Sequence, residues 1–330
     1  MFSAILLEKN DAGVTAGVRA MEESSLPEAA NPVVMSVSYS TVNYKDALAI
    51  TNRGPVVRKW PMIPGIDGAG MVLESSHPRW SVGDAVVLNG FGVGEAHWGC
   101  LAQCARLNGN WLIPLPQTLT ARDAMAIGTA GYTAMLSVLA LEDAGVAPGD
   151  DPVLVTGASG GVGSFSTALL AARGYRVAAS TGKASEKPYL TQLGASEIVD
   201  RETLAVAGKA LQKERYAAVI DSVGSHTLAN ACAQTRYGGV IAACGLAQGM
   251  DFPASVAPFI LRAVRLFGID SVMAPIALRE RAWAELGKAM TSDTLQVIAP
   301  TTVSLAGALN TAHALMEGRV RGRVVVDLNQ

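Results

Sequence analysis

Charged side chains are scarce in this sequence, and neither sign is in excess. Lys and Arg together number 26 and Asp and Glu number 28 among 330 residues, which gives a formal net charge of −2. With this balance we expect no general electrostatic attraction to nucleic acid or to acidic membranes. Half of the residues are hydrophobic and only 16% are charged. This composition supplies ample core for roughly two domains and is not typical of a disordered chain.

Targeting segments, long apolar runs and cysteines are also few. The start, MFSAILLEKND, has an apolar run too short for a secretory signal and no basic residues before it. No apolar stretch reaches the roughly 18 residues of a membrane span. The four cysteines, Cys100, Cys104, Cys232 and Cys244, form no evident disulfide framework. We therefore expect reduced thiols, no membrane segment and a cytoplasmic protein.

The most informative stretch that is present is VLVTGASGGVG, residues 153–163. Its apolar start is typical of a buried strand, and the apolar spacing that follows it is typical of a helix. A strand, a glycine turn and a helix N-terminus in that order form an anion site, because backbone N–H groups and the helix dipole favour negative charge. Gly160 and Gly163 would admit a pyrophosphate. Ala158 replaces the usual first glycine, and a plain tight turn is the alternative.

The following strand indicates which dinucleotide the turn would hold. RVAAST (176–181) ends about 20 residues after the glycines, as a βαβ unit requires. NAD sites usually have Asp or Glu at that strand end to bind the ribose 2′-hydroxyl. Here Ser180, Thr181, Gly182 and Lys183 supply hydroxyls, backbone N–H groups and an ammonium, which suit a 2′-phosphate. We therefore expect NADPH rather than NADH, with a solvated loop lysine as the alternative for Lys183.

The pattern of the chain changes near residue 124. Before it, short apolar runs broken by glycine and proline are typical of an antiparallel β-barrel-like domain, at 32–40, 68–76 and 83–90. From Ala124 an alanine-rich helix leads into alternating strands and helices, with further candidate strands at 197–200, 217–221, 238–245 and 265–270. Six such strands predict an α/β fold with a doubly wound parallel (Rossmann) sheet. We expect the last helix and strand to return to the first domain. The predicted domains are residues 1–124 with 297–330, and residues 125–296.

Several stretches carry a resemblance that covers essentially the whole chain. They are VNYKDALAIT (42–51), PMIPGIDGAG (61–70), GVGEAHWG (92–99), GTAGYTAML (128–136), TGASGGVG (156–163), AACGLAQG (242–249), PFILRAVRLFGIDSV (258–272) and GRVRGRVVVDL (318–328). In these the sequence resembles the zinc-free quinone-oxidoreductase branch of the medium-chain dehydrogenase/reductase superfamily, and within it the bacterial acrylyl-CoA reductase group. The resemblance implies a GroES-like catalytic domain and an NADPH-binding Rossmann domain.

The same resemblance implies that the chain holds no zinc. Zinc-containing members have a ligand cysteine at the position of Asn43 and Gly-His-Glu at the position of Gly65-Ile66-Asp67. An amide and an isoleucine are poor zinc ligands. The four-cysteine lobe that follows residue 90 in zinc-containing members is missing, and Cys100 and Cys104 have no second cysteine pair. We therefore expect no metal site and two cysteines that pack as small apolar groups.

Without a Lewis acid, alcohol oxidation is disfavoured, whereas reduction of an activated C=C bond needs only positioning, hydrogen bonds to the developing enolate and a proton. The resemblance implies NADPH-dependent reduction of acryloyl-CoA to propanoyl-CoA, with hydride added to the β-carbon. Two alternatives stay open. The chain would be a quinone or small-enone reductase of the same fold, or a protein that binds NADPH without turnover.

By resemblance, Asn43 and Asp46 lie beside the nicotinamide and are the candidate catalytic pair. Asn43 would donate an amide N–H to a substrate or cofactor oxygen, and Asp46 would orient its neighbours or relay a proton. A helix cap at Asn43 and a first-turn dipole partner at Asp46 are the alternatives. The candidate cofactor contacts are Tyr44, Ser159, Gly160, Gly161, Val162, Ser180, Thr181, Gly182, Lys183, Arg201, Leu246, Ile260, Ser271 and Arg323. For Arg201, whose guanidinium suits the 2′-phosphate, an ion pair with Glu202 is the alternative.

Two further expectations concern partners. An acyl-CoA substrate needs basic residues for its phosphates, which Arg53, Arg58 and Lys59 could supply unless they are simply solvated. The apolar strand at 265–273 is expected at the sheet edge, where an uncovered strand invites pairing. Because members of the superfamily commonly join two sheets in this way, we expect a homodimer.

Overall fold

The computed structural model describes residues 1–11 and 13–329, and these fall into two compact units. The first unit contains residues 1–129 and 271–330, and the second contains residues 130–270. The predicted domain boundaries differ from this division mainly in the segment 271–296, which the structure groups with the first unit.

The N-terminal part of the first unit is mostly β structure. Its elements are β1 Phe2–Asn10, β2 Gly13–Met21, β3 Pro32–Thr41, α1 Tyr44–Ile50, β4 Asp67–Ser75, β5 Ala85–Asn89, β6 Cys104–Asn108 and β7 Leu112–Pro114, with single 3-10 turns at Glu23–Ser25 and Gly109–Trp111. β1 and β2 form an antiparallel pair of their own. β3 pairs antiparallel with both β4 and β6, so it is the central strand of the main sheet.

The second unit is a parallel α/β sheet. After α2, Ala121–Asp143, its strands are β8 Val153–Val155, β9 Val177–Thr181, β10 Glu197–Asp200, β11 Tyr216–Asp221, β12 Thr235–Ala243 and β13 Arg265–Gly268. Its helices are α3 Gly161–Ala172, α4 Lys187–Gln192, α5 Glu202–Ala205, α6 Ser225–Gln234 and α7 Ala257–Arg262, with a 3-10 turn at Ala184–Glu186. The strand order β10-β9-β8-β11-β12-β13 confirms the predicted doubly wound sheet.

The C-terminal segment completes the first unit. Its elements are α8 Ile276–Ala289, α9 Ser292–Ile298, β14 Thr301–Ser304, α10 Leu305–Met316 and β15 Val324–Asp327. β15 pairs antiparallel with β3, and β14 pairs parallel with β15, so the main sheet is mixed rather than wholly antiparallel. Apolar side chains of α1 and α10, among them Ala47, Ile50 and Ala308, pack with strand residues in one core cluster.

Helix α2 is the predicted alanine-rich helix, and it begins three residues earlier than predicted, at Ala121. Within the described residues it is the one helix whose length and mean hydropathy would let it cross a membrane. However, 89% of its most apolar window is buried inside the protein, as in a core helix. The helix is broken at Gly128, where φ is 50° and ψ is −162°. Small and hydroxyl residues interrupt the apolar run here, so the sequence predicts a helix in this stretch but no membrane span.

The turn from β8 into α3 allows no side chain at Gly163. A Cβ there would overlap the Gly157 carbonyl oxygen and would lie 2.5 Å from the Cα atom of Ala158. Both obstacles are backbone atoms, which cannot rotate away. The glycine therefore permits the close approach of helix and strand that the sequence pattern predicted.

We expect Gly163→Ala to lower the free energy of unfolding by about 2 kcal/mol, because an extra methyl group in a packed turn forces backbone shifts. Gly149→Ala is the matched control, since a Cβ at Gly149 would have nothing within 4 Å. Urea unfolding of both variants measures the difference. Equal stability of the two variants would contradict the packing argument.

Candidate active site

The glycine turn of the second unit has the geometry of an anion site. Helix α3 begins at Gly161 with Gly160 as its N-cap, and its first N–H groups have no partners within the helix. The turn is held on β9 because the Ala158 N–H donates to the Ser180 carbonyl oxygen at 3.0 Å. Since donors and helix dipole point the same way, Ser159, Gly160, Gly161 and Val162 form a cradle for a phosphate group.

Polar groups gather at the carboxyl ends of β9 and β10, beside this cradle. Ser159 Oγ lies 3.3 Å from Thr181 Oγ1, which also accepts from the Lys183 N–H at 3.2 Å. The Arg201 N–H donates to the Thr181 carbonyl oxygen at 3.1 Å. A Cβ at Gly182 would lie 2.6 Å from Arg201 Cζ, so the guanidinium packs directly on Gly182. The Thr181 hydroxyl and the Arg201 guanidinium fit a ribose 2′-phosphate better than a free 2′-hydroxyl.

Arg201 also forms the ion pair with Glu202 that was the alternative to a contact with the 2′-phosphate. Its Nη2 atom lies 3.1 Å from Glu202 Oε1, and the two side chains are 56% and 65% exposed. An exposed pair of this kind contributes little to stability. The contact therefore leaves the guanidinium able to exchange Glu202 for a phosphate.

Asp221, at the end of β11, is a buried carboxyl group that the sequence analysis did not single out. It accepts from Thr156 Oγ1 at 2.6 Å and from the Gly224 N–H at 2.8 Å. Burial raises its pKa above the usual value, although these hydrogen bonds act in the opposite direction. β11 and β8 are neighbouring strands at the point where the strand order of the sheet reverses. The hydrogen bonds of Asp221 therefore fix the backbone at the carboxyl end of β11, beside this point.

In the first unit, a second group of polar residues surrounds Asp67, which is fully buried. Its carboxylate accepts from Asn43 Nδ2 at 2.8 Å, Asn89 Nδ2 at 2.6 Å, the Thr129 N–H at 2.7 Å and Thr129 Oγ1 at 2.5 Å. Arg323 Nη2 lies 3.8 Å from Asp67 Oδ2. We call these five residues the Asp67 cluster. Four hydrogen bonds and a nearby cation compensate the burial of its charge.

The break in α2 makes room for the Asp67 cluster. A Cβ at Gly128 would lie 2.6 Å from Arg323 Nη2 and 2.7 Å from Asp67 Oδ2. With φ positive at Gly128, the following Thr129 can present both its N–H and its hydroxyl to the carboxylate. The Gly-Thr pair belongs to the stretch GTAGYTAML, which was the only sequence signal for this contact.

Asp46 lies at the first turn of α1 and is almost completely buried. It accepts from the Asn43 N–H at 2.8 Å, from Asn43 Nδ2 at 3.2 Å and from the N–H groups of Gly65 and Ile66 at 3.0 Å each. Burial raises its pKa to about 6, and the neighbouring Asp67 acts in the same direction, whereas the hydrogen bonds lower it. Asp46 therefore anchors the start of α1 to the Gly65-Ile66 backbone.

The contacts of Asn43 differ from the donation to substrate that the sequence analysis envisaged. Asn43 is the N-cap of α1, and its Nδ2 donates to Asp46 and Asp67. Both amide hydrogens are therefore used within the first unit. The arrangement matches the capping alternative, and a donor role toward a ligand would require one of these bonds to break.

The residues that the resemblance places at zinc-ligand positions make other contacts. Asn43 and Asp67 bond to each other, and the backbone of Gly65 and Ile66 donates to Asp46. Across residues 1–11 and 13–329, no group of three His, Cys, Asp or Glu side chains is arranged to hold a metal ion.

Cys100, Cys104 and Cys232 pack in apolar clusters, whereas Cys244 Sγ donates to the Asp221 carbonyl oxygen at 3.2 Å. Cys100, Cys104 and Cys232 are buried and Cys244 is partly buried, and all four are free thiols. Burial raises the pKa of Cys104 to about 11 and those of Cys232 and Cys244 to about 12, and it raises the pKa of Cys100 as well.

The other predicted cofactor contacts are dispersed. In the first unit, Tyr44 is half-exposed, and the Ser271 carbonyl oxygen accepts from Arg279 Nη2 at 3.0 Å. Arg323, in the same unit, is buried and donates to Thr41 Oγ1 at 2.9 Å. Burial lowers its pKa, while Asp67 acts in the opposite direction. In the second unit, Leu246 and Ile260 are exposed, at 57% and 73%.

Comparisons with known proteins agree with this geometry. The profile of the alcohol dehydrogenase GroES-like domain matches residues 29–117, and that of the zinc-binding dehydrogenases matches residues 161–290. Acrylyl-CoA reductase AcuI of Ruegeria pomeroyi is 49% identical over 333 residues, which cover 100% of both chains. The crystal structure of the yhdH oxidoreductase of Salmonella enterica in complex with NADP is 50% identical, with a TM-score of 0.96 over 98% of this chain and 99% of that one.

A third relative has a different name. YhfP of Bacillus subtilis, a putative quinone oxidoreductase, is 42% identical over 99% of both chains. Its crystal structure, with NAD bound, has a TM-score of 0.94 and also covers 99% of both chains. Similarity at this level over the full length confirms the predicted family: the chain belongs to the medium-chain dehydrogenase/reductase superfamily, in the branch of the acrylyl-CoA reductases and their quinone-oxidoreductase-like relatives.

Proposed function

We propose that this protein reduces the C=C bond of acryloyl-CoA to give propanoyl-CoA, with NADPH as the reductant. The observation that carries the proposal is the 49% identity to an acrylyl-CoA reductase over the complete length of both chains. When bound, NADPH supplies the hydride, which is added to the β-carbon of the thioester, and a proton added at the α-carbon completes the reduction. The chain's own residues bind and orient the reactants, which accounts for much of the rate enhancement in such reactions.

The second unit would hold the coenzyme. The cradle of Ser159, Gly160, Gly161 and Val162 binds the pyrophosphate through backbone N–H groups at the start of α3. Thr181, Lys183 and Arg201 bind the 2′-phosphate at the carboxyl ends of β9 and β10. The complex of the Salmonella relative with NADP supports NADPH as the coenzyme.

In the first unit, Asn43 and Asp46 would act mainly by positioning. Asp67 holds the Asn43 amide, and Asp46 holds the N-terminus of α1 against Gly65 and Ile66. Near neutral pH an Asp46 with a pKa of about 6 is mostly ionised, which favours its four accepted hydrogen bonds. The pair therefore keeps the start of α1 in one geometry, and Asp46 can take up a proton without leaving its partners.

A quinone or small-enone reductase is the second candidate function. It is favoured by the 42% identity to the putative quinone oxidoreductase YhfP, whose structure has NAD bound. The chemistry is close, since both reactions deliver a hydride to a conjugated acceptor. The two candidates differ in the substrate and the coenzyme that they predict.

We also propose a cytoplasmic homodimer. The four free cysteines fit a reducing compartment. β13 is an edge strand that pairs with β12 on one side, and Phe267 on it and Leu261 just before it are exposed. Uncovered apolar edge strands are the usual sites of sheet extension between copies.

In steady-state assays we expect kcat/KM for acryloyl-CoA with NADPH to exceed that for crotonyl-CoA by about tenfold or more, since a fitted pocket discriminates against one extra methyl group by that factor. Naphthoquinone should be a poorer substrate still, and NADH should replace NADPH poorly. A kcat/KM for naphthoquinone equal to that for acryloyl-CoA, or a preference for NADH, would favour the second candidate.

We expect the stability of the wild-type protein to depend on pH through Asp46. The pKa of this carboxyl group is about 6 in the folded chain, whereas its ordinary value, which applies to the unfolded chain, is 3.8. Between these values the folded state holds a proton that the unfolded state has released. The stabilisation is therefore complete below pH 3.8 and is lost as pH rises through 6, by about 3 kcal/mol in total. Urea unfolding from pH 4 to pH 7 of wild type and Asp46→Asn measures it. A difference between the two proteins that stays constant over this range would contradict the assignment.

Light scattering at micromolar concentration should give twice the mass of one chain. Phe267→Asp should give the mass of a single chain, because a charge on the edge strand opposes pairing. Val82→Asp, at a side chain that is 72% exposed in the first unit, is the control and should stay dimeric. A monomeric wild-type protein would contradict the proposed dimer.

A further inference from the structure

A cavity of about 460 Å³ lies in the first unit, at the end of α1 that is opposite Asn43. Among the residues that line it are Lys9, Ala49, Asn52, Arg53, Val57 and Trp60. These residues come from the end of β1, the last turn of α1 and the loop that follows it. A volume of this size is in the range of small-molecule sites.

Two cations at the cavity have no counter-ion. Within residues 1–11 and 13–329, the side chains of Lys9 and Arg53 form neither an ion pair nor a hydrogen bond. Glu8 is next to Lys9, but successive side chains of a strand point to opposite faces, and Glu8 lies 4.0 Å from Arg19. The unpaired charges make the cavity suitable for an anion.

Glu95, which contacts the loop that follows α1, is already compensated by cations. Glu95 Oε1 lies 2.7 Å from Lys45 Nζ, and Glu95 Oε2 lies 3.8 Å from Arg58 Nη2. Arg58 is 72% exposed, so this second contact is weak and its charge adds to that of Lys59 beside it. The loop therefore carries a surplus of positive charge around the cavity.

The carbonyl groups at the C-terminal end of α1 repel an anion only weakly. The Leu48 carbonyl oxygen accepts from the Arg53 N–H at 3.0 Å, and the Ala49 carbonyl oxygen accepts from the Asn52 N–H at 3.2 Å. Carbonyl groups capped in this way present less negative charge to a ligand. Asn52 has a φ of 52°, so the chain turns sharply here and the loop folds back over the helix end.

The remaining wall is apolar and includes a large aromatic ring. Trp60 is half-buried and lines the cavity together with Val57 and the buried Ala49. Rings of this kind stack on nucleobases, and an indole is the largest such surface in proteins. Two cations beside an aromatic ring can contact both the phosphate and the base of a phosphorylated nucleoside, whereas free phosphate would use the cations alone.

We propose that this cavity binds the phosphorylated adenosine end of the acyl-CoA substrate, with Lys9 and Arg53 on phosphate oxygens and Trp60 against the adenine. The proposal rests on the proposed function. The seven residues of α1 span about 10 Å between Asn43 and the cavity. The pantetheine arm of CoA is longer than this, so one thioester can reach from the cavity to the start of α1. Arg53 keeps the role expected from the sequence, and the structure adds Lys9 and Trp60 to it.

The kinetic test compares acryloyl-CoA with acryloyl-pantetheine, which has the same acyl group and arm but no nucleotide. In Lys9→Ala and Arg53→Ala we expect KM for acryloyl-CoA to rise about tenfold each, because each variant loses a charge-assisted bond to phosphate. The kcat value, and KM for acryloyl-pantetheine, should stay at the wild-type values. Lys213→Ala, an exposed lysine of the second unit, is the control and should change none of these constants.

A binding test does not depend on turnover. Protein saturated with NADP⁺, which blocks the dinucleotide site, is titrated calorimetrically with adenosine 3′,5′-bisphosphate, with ATP and with inorganic phosphate. We expect adenosine 3′,5′-bisphosphate to bind most tightly and Arg53→Ala to weaken this binding about tenfold.

Three results would overturn the site even in a protein that reduces acryloyl-CoA. The first is an equal rise in KM for acryloyl-CoA and for acryloyl-pantetheine in Lys9→Ala or Arg53→Ala. The second is that Arg53→Ala binds adenosine 3′,5′-bisphosphate as tightly as the wild type does. The third is that ATP or inorganic phosphate binds as tightly as the bisphosphate. If the bisphosphate binds as expected but acryloyl-CoA is not reduced, the proposed function fails and the nucleotide site stands.

Discussion

The first unit depends on the burial of one charged group, the carboxylate of Asp67. An isolated carboxylate in the interior of a protein is very unfavourable, so each of its oxygens must find donors. The donors come from Asn43, Asn89 and Thr129, and the nearby cation is Arg323. The cost of leaving the charge unpaired therefore forces four separate segments to meet. Because removing one donor would leave a buried lone pair unsatisfied, the cluster behaves as one unit.

The Asp67 cluster also helps to fix the position of α1. Asn43 is held by Asp67, and Asp46 on the first turn is held by the backbone of Gly65 and Ile66. A seven-residue helix has little stability of its own, so its direction is set by such contacts and by packing. Under the proposed function, α1 then links two tasks. Asn43 and Asp46 at its start position the reactants, and its last turn forms one wall of the proposed nucleotide cavity.

How far the sequence predicts each part depends on how local the interactions are. The strands of the second unit and its glycine turn are set by apolar runs and by Gly163, all of which can be recognised over a few residues. The Asp67 cluster joins residues separated by more than 250 positions, and no short pattern encodes it. Arg323 lies in a run of three arginines that suggests a solvated turn, yet it is buried. The parallel pairing of β14 with β15 is likewise set by tertiary contacts that a local pattern does not contain.

The state of the four thiols has a chemical consequence. An α,β-unsaturated thioester is an electrophile that adds to thiolates, and only the ionised sulfur is an effective nucleophile. With pKa values of about 11 and 12 for three of them and an upward shift for Cys100, almost no thiolate is present near neutral pH. Three of the sulfur atoms are also buried. Under the proposed function, thiols that stay protonated in this way are poor nucleophiles toward the unsaturated thioester.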